Sequence, residues 1–148
     1  MDNAILQGGL RLINRYNDIA KKPRHYGTDT LLYPSEIHVI DVIGLDGNNT
    51  TTKLADQLGI TKGGVSQIVA KLFEKDMIVK SSGGGINEVY LSLSEKGKIA
   101  FEGHIELHRN LNARINDIIL NVDDRTKDEI RRLLNAIDDE LMAMGKTE

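Results

Sequence analysis

The stretch Thr51–Leu93, TTKLADQLGITKGGVSQIVAKLFEKDMIVKSSGGGINEVYLSL, decides how the rest of the chain is read. It begins with a helix whose apolar residues Leu54, Ala55 and Leu58 fall at i, i+1 and i+4, with Thr51 placed to cap free backbone amides and Gly59 to end it. A second cap, Thr61, opens a helix in which Val65, Ile68, Val69 and Leu72 share one face. Lys62, Ser66, Gln67 and Lys71 lie off that stripe and face solvent. Beyond Asp76, Ile78–Lys80 and Val89–Leu93 have strand character, and Ser81–Gly85 between them has the composition of a hairpin tip. Two short helices around a glycine turn, the second outwardly polar and followed by a hairpin, predict a winged helix-turn-helix.

Several residues in this order resemble the MarR family of transcriptional regulators. They are Leu54-Ala55 on the first helix, Gly59-Ile60-Thr61 in the turn, Val65-Ser66 and Leu72 on the second, and Leu91-Ser92-Leu93-Ser94-Glu95-Lys96-Gly97 after the wing. The resemblance implies a dimeric winged-helix protein that binds pseudo-palindromic double-stranded DNA. On that reading Thr51, Thr61, Lys62, Gly63, Gly64, Ser66, Gln67 and Lys71, with Ser82 and Gly83 of the wing, face DNA. Lys suits guanine and Gln suits adenine by donor and acceptor geometry. Gly63 and Gly64 each cost about 1 kcal/mol relative to Ala in a helix interior, less near its start, where their missing side chains let backbone amides approach a phosphate. The competing reading of this face is an ordinary solvated helix surface.

The wing departs from the family pattern, which presents an Arg, often supported by an Asp, near the hairpin tip. Here the tip is Ser81-Ser82-Gly83-Gly84-Gly85, and no cation lies between Lys80 and Lys96. The glycines are not a nucleotide loop, because no Lys-Ser or Lys-Thr pair follows at the required spacing.

On either side of this segment the pattern is helical. Ile5, Gly9, Leu12, Tyr16 and Ile19 form a seam along residues 3–20, and a further helix is predicted from Pro34 or Ser35 to about Leu45, with Ile37, Ile40, Val42 and Ile43 facing inward. Asp46-Gly47-Asn48-Asn49 reads as a turn. After the wing, Ser94 is placed to cap a long helix to about Val122, with His104, His108, Leu111, Ile115, Ile118 and Val122 along one side. Thr126 with Glu129 reads as a capping box for a last helix whose seam is Ile130, Leu134, Ile137, Leu141 and Met144. One small domain cannot cover three such seams, so a homodimer is expected, joined through Leu12, Tyr16, Ile130, Leu134, Ile137 and Leu141. The expected organisation is mostly α with a β-hairpin wing: 1–32 as dimerisation helix and loop, 33–97 as DNA-binding domain, and 98–148 as dimerisation helices.

Composition sets limits on other readings. The 148 residues contain no cysteine and only 4% aromatics, so disulfides, thiolate metal sites and cysteine-based sensing are excluded, and the core must be aliphatic. No signal peptide or membrane-spanning run is evident, which predicts a cytoplasmic protein without a membrane partner. The net charge of −3 is unevenly placed. Residues 51–100 hold seven basic side chains (Lys53, Lys62, Lys71, Lys75, Lys80, Lys96 and Lys98) against five acidic ones, whereas residues 101–148 hold seven against eleven. The reading surface is therefore locally basic on an acidic body.

His104 and His108, one helical turn apart, have the spacing that lets two imidazoles share a metal, and His38 with Glu36 lies early in the second helix. In zinc-responsive members of the MarR family the sensor is built from histidines on these two helices plus carboxylates. The alternative is that these histidines are buried hydrogen-bonding residues at a seam. No nucleophile elbow, metalloprotease helix or dinucleotide fingerprint is present, so no enzymatic activity is expected. The sequence thus predicts a DNA-binding regulator, acting as a repressor, with a small-molecule effector or zinc left open as ligand. A winged-helix interaction module without DNA binding and a zinc-responsive repressor are the competing readings.

Overall fold

The computed structural model describes residues 3–47, 49–82 and 89–145. Their order is α1 (Ala4–Ala20), α2 (Pro34–Asp46), α3 (Thr51–Leu58), α4 (Lys62–Glu74), β1 (Ile78–Ser82), β2 (Val89–Leu93), α5 (Glu95–Leu120) and α6 (Asp124–Met144). The chain divides into two compact units, Met1–Leu107 and His108–Glu148.

In the first unit a single aliphatic core lies among α2, α3, α4, the hairpin and the start of α5. Leu32, Ile37, Val39, Ile40, Ile43, Leu54, Val65, Val69, Leu72, Met77, Ile78, Leu91 and Ala100 are buried in it. The predicted inward stripes of α2 and α4 supply Ile37, Ile40, Ile43, Val65, Val69 and Leu72 of this set, with Val42 and Ile68 packed at its edge. Burying a Val, Leu or Ile side chain is worth about 1.5–3 kcal/mol, so these contacts, rather than helix propensity, hold three short helices together. At the start of α5, Ser94 acts as expected: its hydroxyl accepts from the Gly97 amide at 2.9 Å and donates to the Asp76 carbonyl at 2.5 Å. A Cβ on Gly97 would lie 1.9 Å from the Met77 carbonyl oxygen, so only glycine lets the helix press this closely on the root of the hairpin.

The hairpin is antiparallel, with Ile78 opposite Leu93, Lys80 opposite Leu91 and Ser82 opposite Val89. Ser81 and Ser82, expected in the tip, are therefore strand residues. Their place in the ladder follows from the register set by buried Ile78 and Leu91 on one face. Asn49, expected to be part of a turn, is fully buried and extends the sheet: its amide donates to the Leu91 carbonyl at 3.3 Å and its carbonyl accepts from the Leu91 amide at 2.7 Å. Its side-chain amide donates to the Val42 and Gly47 carbonyls, tying the end of α2 to this edge.

The helix α1 buries none of its residues; Ile5, Leu12 and Tyr16 are 69%, 69% and 60% exposed. In the second unit α6 likewise buries none, and Ile130, Leu134, Ile137 and Leu141 are all exposed. Its cap is Asp123 rather than the predicted box of Thr126 with Glu129. The Asp123 carboxylate accepts from both the amide and the hydroxyl of Thr126, at 2.9 and 2.6 Å, while Glu129 pairs with Arg125 one turn earlier. These hydrogen bonds from Thr126 hold the Asp123 carboxyl below its ordinary value. A groove of about 290 Å³ in this unit is lined by Ile119, Val122, Lys127, Ile130, Arg131 and Leu134. No described helix is long and apolar enough to cross a membrane.

Candidate nucleic-acid interface

The exposed face of α4 is held by caps and turns at both ends. Thr50 begins the supporting helix α3, its hydroxyl accepting from the Lys53 amide at 3.2 Å. The cap is thus one residue earlier than the predicted Thr51, which lies half-buried as the first residue of the helix. With Asn49 fixed in extended backbone by Leu91, Thr50 is the first threonine positioned to cap. Gly59 closes α3 at φ +64°, the left-handed conformation that glycine adopts without a Cβ penalty. Gln57 and Lys53 of α3 both reach Asp46 at the end of α2, at 2.5 and 3.5 Å.

Thr61 caps α4 as predicted, accepting from the Gly64 amide at 3.1 Å. A Cβ on Gly64 would sit 3.2 Å from that same hydroxyl oxygen, so the glycine leaves room for the cap. From this start Lys62, Gly63, Ser66, Gln67 and Lys71 are exposed while Val65, Val69 and Leu72 are buried, which gives α4 one anchored and one free face. At its other end Lys75 forms the C-cap and turns inward. Its ammonium donates to both carboxylate oxygens of Glu36, at 2.7 and 2.8 Å, and to the Leu31 carbonyl at 2.9 Å. Glu36 also accepts from the Tyr33 amide at 2.8 Å, so the buried carboxylate serves α2's first turn and α4's last together.

Other basic side chains of this unit are paired as well: Lys53 with Asp46, Lys96 with Asp29, and Lys98 with Glu95. Lys62, Lys71 and Lys80 form no ion pair among the described residues, so positive charge is left over on α4 and the base of β1. Ser82 is exposed at the end of β1, and Gly83 lies outside the described residues.

The histidine cluster is only partly assembled in this unit. His104 is buried, with its Nδ1 2.8 and 2.9 Å from the two carboxylate oxygens of Asp41. The Tyr26 ring meets it edge-on at 5.1 Å between centroids, and the exposed His38 ring lies 6.5 Å away. Glu36, named beside His38 as a ligand candidate, is instead committed to Lys75; the short α2 start turns it into the interior. His108 belongs to the second unit. Among the described residues no three His, Cys, Asp or Glu side chains come together as a metal cage. Asp41 was missed by the sequence reading. Its one local signal was a lone carboxylate between Ile40 and Val42 in an apolar run.

No protein-family model matches the chain. It is 29% identical over 93 residues to the HTH-type transcriptional regulator PchR of Bacillus subtilis, covering 62% of this chain and 50% of that protein, so it spans about half the length of this curated relative. Among solved structures it is similar to the zinc-responsive MarR family member ZitR of Lactococcus lactis, with a TM-score of 0.74 and 19% identity over 92% of this chain and 96% of that one. ZitR in complex with DNA gives a TM-score of 0.73 and 20% identity, covering 95% and 99% of the two chains. FabT of Streptococcus pneumoniae in complex with DNA gives 0.67 and 21%, again over 95% and 99%. The chain therefore has the winged-helix fold of MarR family regulators, with six helices and a two-stranded wing among the described residues, as its motif order led us to expect.

Proposed function

We propose that this protein is a MarR-type, DNA-binding transcriptional regulator that acts as a homodimer on a pseudo-palindromic operator and represses transcription. The observation that carries the reading is the free face of α4, where Lys62, Ser66, Gln67 and Lys71 are exposed and both lysines are without carboxylate partners among the described residues. Two proteins of the same fold, ZitR and FabT, are known in complex with DNA. In such a complex α4 enters the major groove, Gln67 and Ser66 meet base edges, and Lys71 meets phosphate. The helices outside 33–97 supply the dimer contacts. Their apolar residues, among them Leu12, Tyr16, Leu134 and Leu141, are exposed in the single chain, and burying them requires a partner surface.

Titration of the purified protein against its own upstream DNA tests this. Gln67→Ala is expected to lose about 1–3 kcal/mol on the cognate site and to relax specificity at one position per half-site. Half-sites about 10 base pairs apart are expected for a two-fold dimer. Equal affinity of wild type and a Lys62, Gln67, Lys71 triple-alanine variant would favour the protein-interaction module instead.

One observation favours a metal-responsive version of the same regulator. A histidine ligand is commonly oriented by a carboxylate on its other ring nitrogen, and Asp41 stands in that relation to His104, with His38 nearby on α2. The zinc-responsive ZitR shares the fold. His104 and His38 would supply imidazole nitrogens from the first unit. Zinc is then expected to raise the melting temperature, through binding to the folded state alone, and the rise should vanish in His104→Ala. Calorimetry of metal-free protein that finds no saturable site of about one ion per chain would remove this version.

A further inference from the structure

We propose that Lys80, held against the ring of Phe73, is the wing's contact with the DNA backbone, placed at the base of the hairpin in the absence of a cation from its tip. This deepens the DNA-binding reading and rests on it. Lys80 stands opposite Leu91 in the ladder and two residues after Ile78, so all three belong to one face of the hairpin. Ile78 and Leu91 on that face are buried in the core, whereas Lys80 is exposed, the position at which the inner face of the hairpin emerges from the core. Leu91 is fixed from its other side by the two backbone hydrogen bonds to Asn49, which makes this the braced part of the wing.

The ammonium of Lys80 lies 4.5 Å from the centroid of the Phe73 ring. A cation over an aromatic face is attracted by the ring's quadrupole, and the contact limits the rotamers of an otherwise flexible stem. Phe73 is 48% exposed, far more than an aromatic residue of a folded core, and sits seven residues after Ser66 on the same flank of α4. Lys80 therefore bridges the gap between the helix and the hairpin. When a helix occupies the major groove and a hairpin lies over the adjacent minor groove, the phosphate strand separating the grooves must pass between them. A cation held in that gap, without a carboxylate partner among the described residues, meets that strand. An ammonium suits the task, because it meets a phosphate oxygen as a point charge and a ring face on one side leaves its outer hemisphere open.

The test is the salt dependence of binding, measured by fluorescence anisotropy on a mixed-sequence duplex of about three helical turns. Each phosphate neutralised contributes about 0.9 to the slope of log affinity against log salt. Lys80→Ala removes one such contact from each protomer of the proposed dimer, so it is expected to reduce the slope by about 1.8 and to weaken all sequences alike, by several-fold at low salt, while Lys80→Arg restores both. Phe73→Leu keeps the charge and so keeps most of the slope, with a smaller loss of affinity. Matched melting temperatures show that each variant folds. If Lys80→Ala keeps the wild-type slope while Lys71→Ala lowers it, Lys80 is not a backbone contact and the DNA-binding reading stands. If the wild type shows no salt-dependent binding to any duplex, both proposals fall.

Discussion

Replacing Lys75 by Met should expose how strongly α4 is pinned to the rest of the fold. Lys75 is the C-cap of α4, and Glu36, its partner across 39 residues of sequence, has a side chain only 3% exposed. Lys75→Met keeps the stem but leaves that carboxylate with the Tyr33 amide as its remaining donor among the bonds described. Breaking one side of a buried pair costs about 3–5 kcal/mol, and the partial exposure of Lys75 places the expectation near 3 kcal/mol. This is on the order of a hundredfold in the folding equilibrium, or roughly 6–12 °C in melting temperature for a chain of this size. The double variant Glu36→Leu with Lys75→Met should lose less than Lys75→Met alone, because no charge is then stranded in the interior. Urea denaturation followed by far-UV circular dichroism measures both, at one fixed protein concentration because assembly shifts the midpoint. A loss below about 1 kcal/mol for Lys75→Met would mean that the pair behaves as an exposed one. A double variant less stable than the single would refute the stranded-charge argument outright.

The other expectations concern assembly and acid. If the proposed dimer forms, Leu134→Asp with Ile137→Asp should give monomeric or unfolded chain, read by sedimentation; a wild-type chain that sediments as a folded monomer at micromolar concentration would end the dimer reading. Asp123, whose carboxyl is held low by its bonds to Thr126, contributes stability that is present above its unfolded pKa and is lost as pH falls through the lowered folded value. Asp123→Asn should therefore flatten the acid side of the stability profile, and a profile identical to wild type would show that the cap carries none of it.

Where the sequence was informative, the cause was local chemistry. Gly59, Thr61 and Ser94 each need only their neighbours to define a turn or a cap, and all three act as read. The apolar stripe of α4 was equally legible because burial repeats with the helix period. The caps expected at Thr51 and Thr126 lie instead at Thr50 and Asp123. Thr50 and Thr51 are equivalent until Asn49 is known to pair with Leu91, and Asp123 and Thr126 are both good cap residues until the helix start is fixed. Pairs made across the fold left no trace in the sequence. Glu36 looked like a companion of His38, and only the close approach of Lys75 assigns it elsewhere. The Asp41–His104 contact is of the same kind, joining residues 63 positions apart.

The bond between Asn49 and Leu91 has a mechanical consequence. Asn49 lies three residues beyond the end of α2 and grips its Val42 carbonyl, while Leu91 lies on the strand opposite Lys80. Across these three residues α2 and the hairpin are coupled like a lever and its arm, with the sheet edge as fulcrum. Any roll of α2 would therefore be carried to the hairpin through this edge, and to α4 through the Glu36–Lys75 pair.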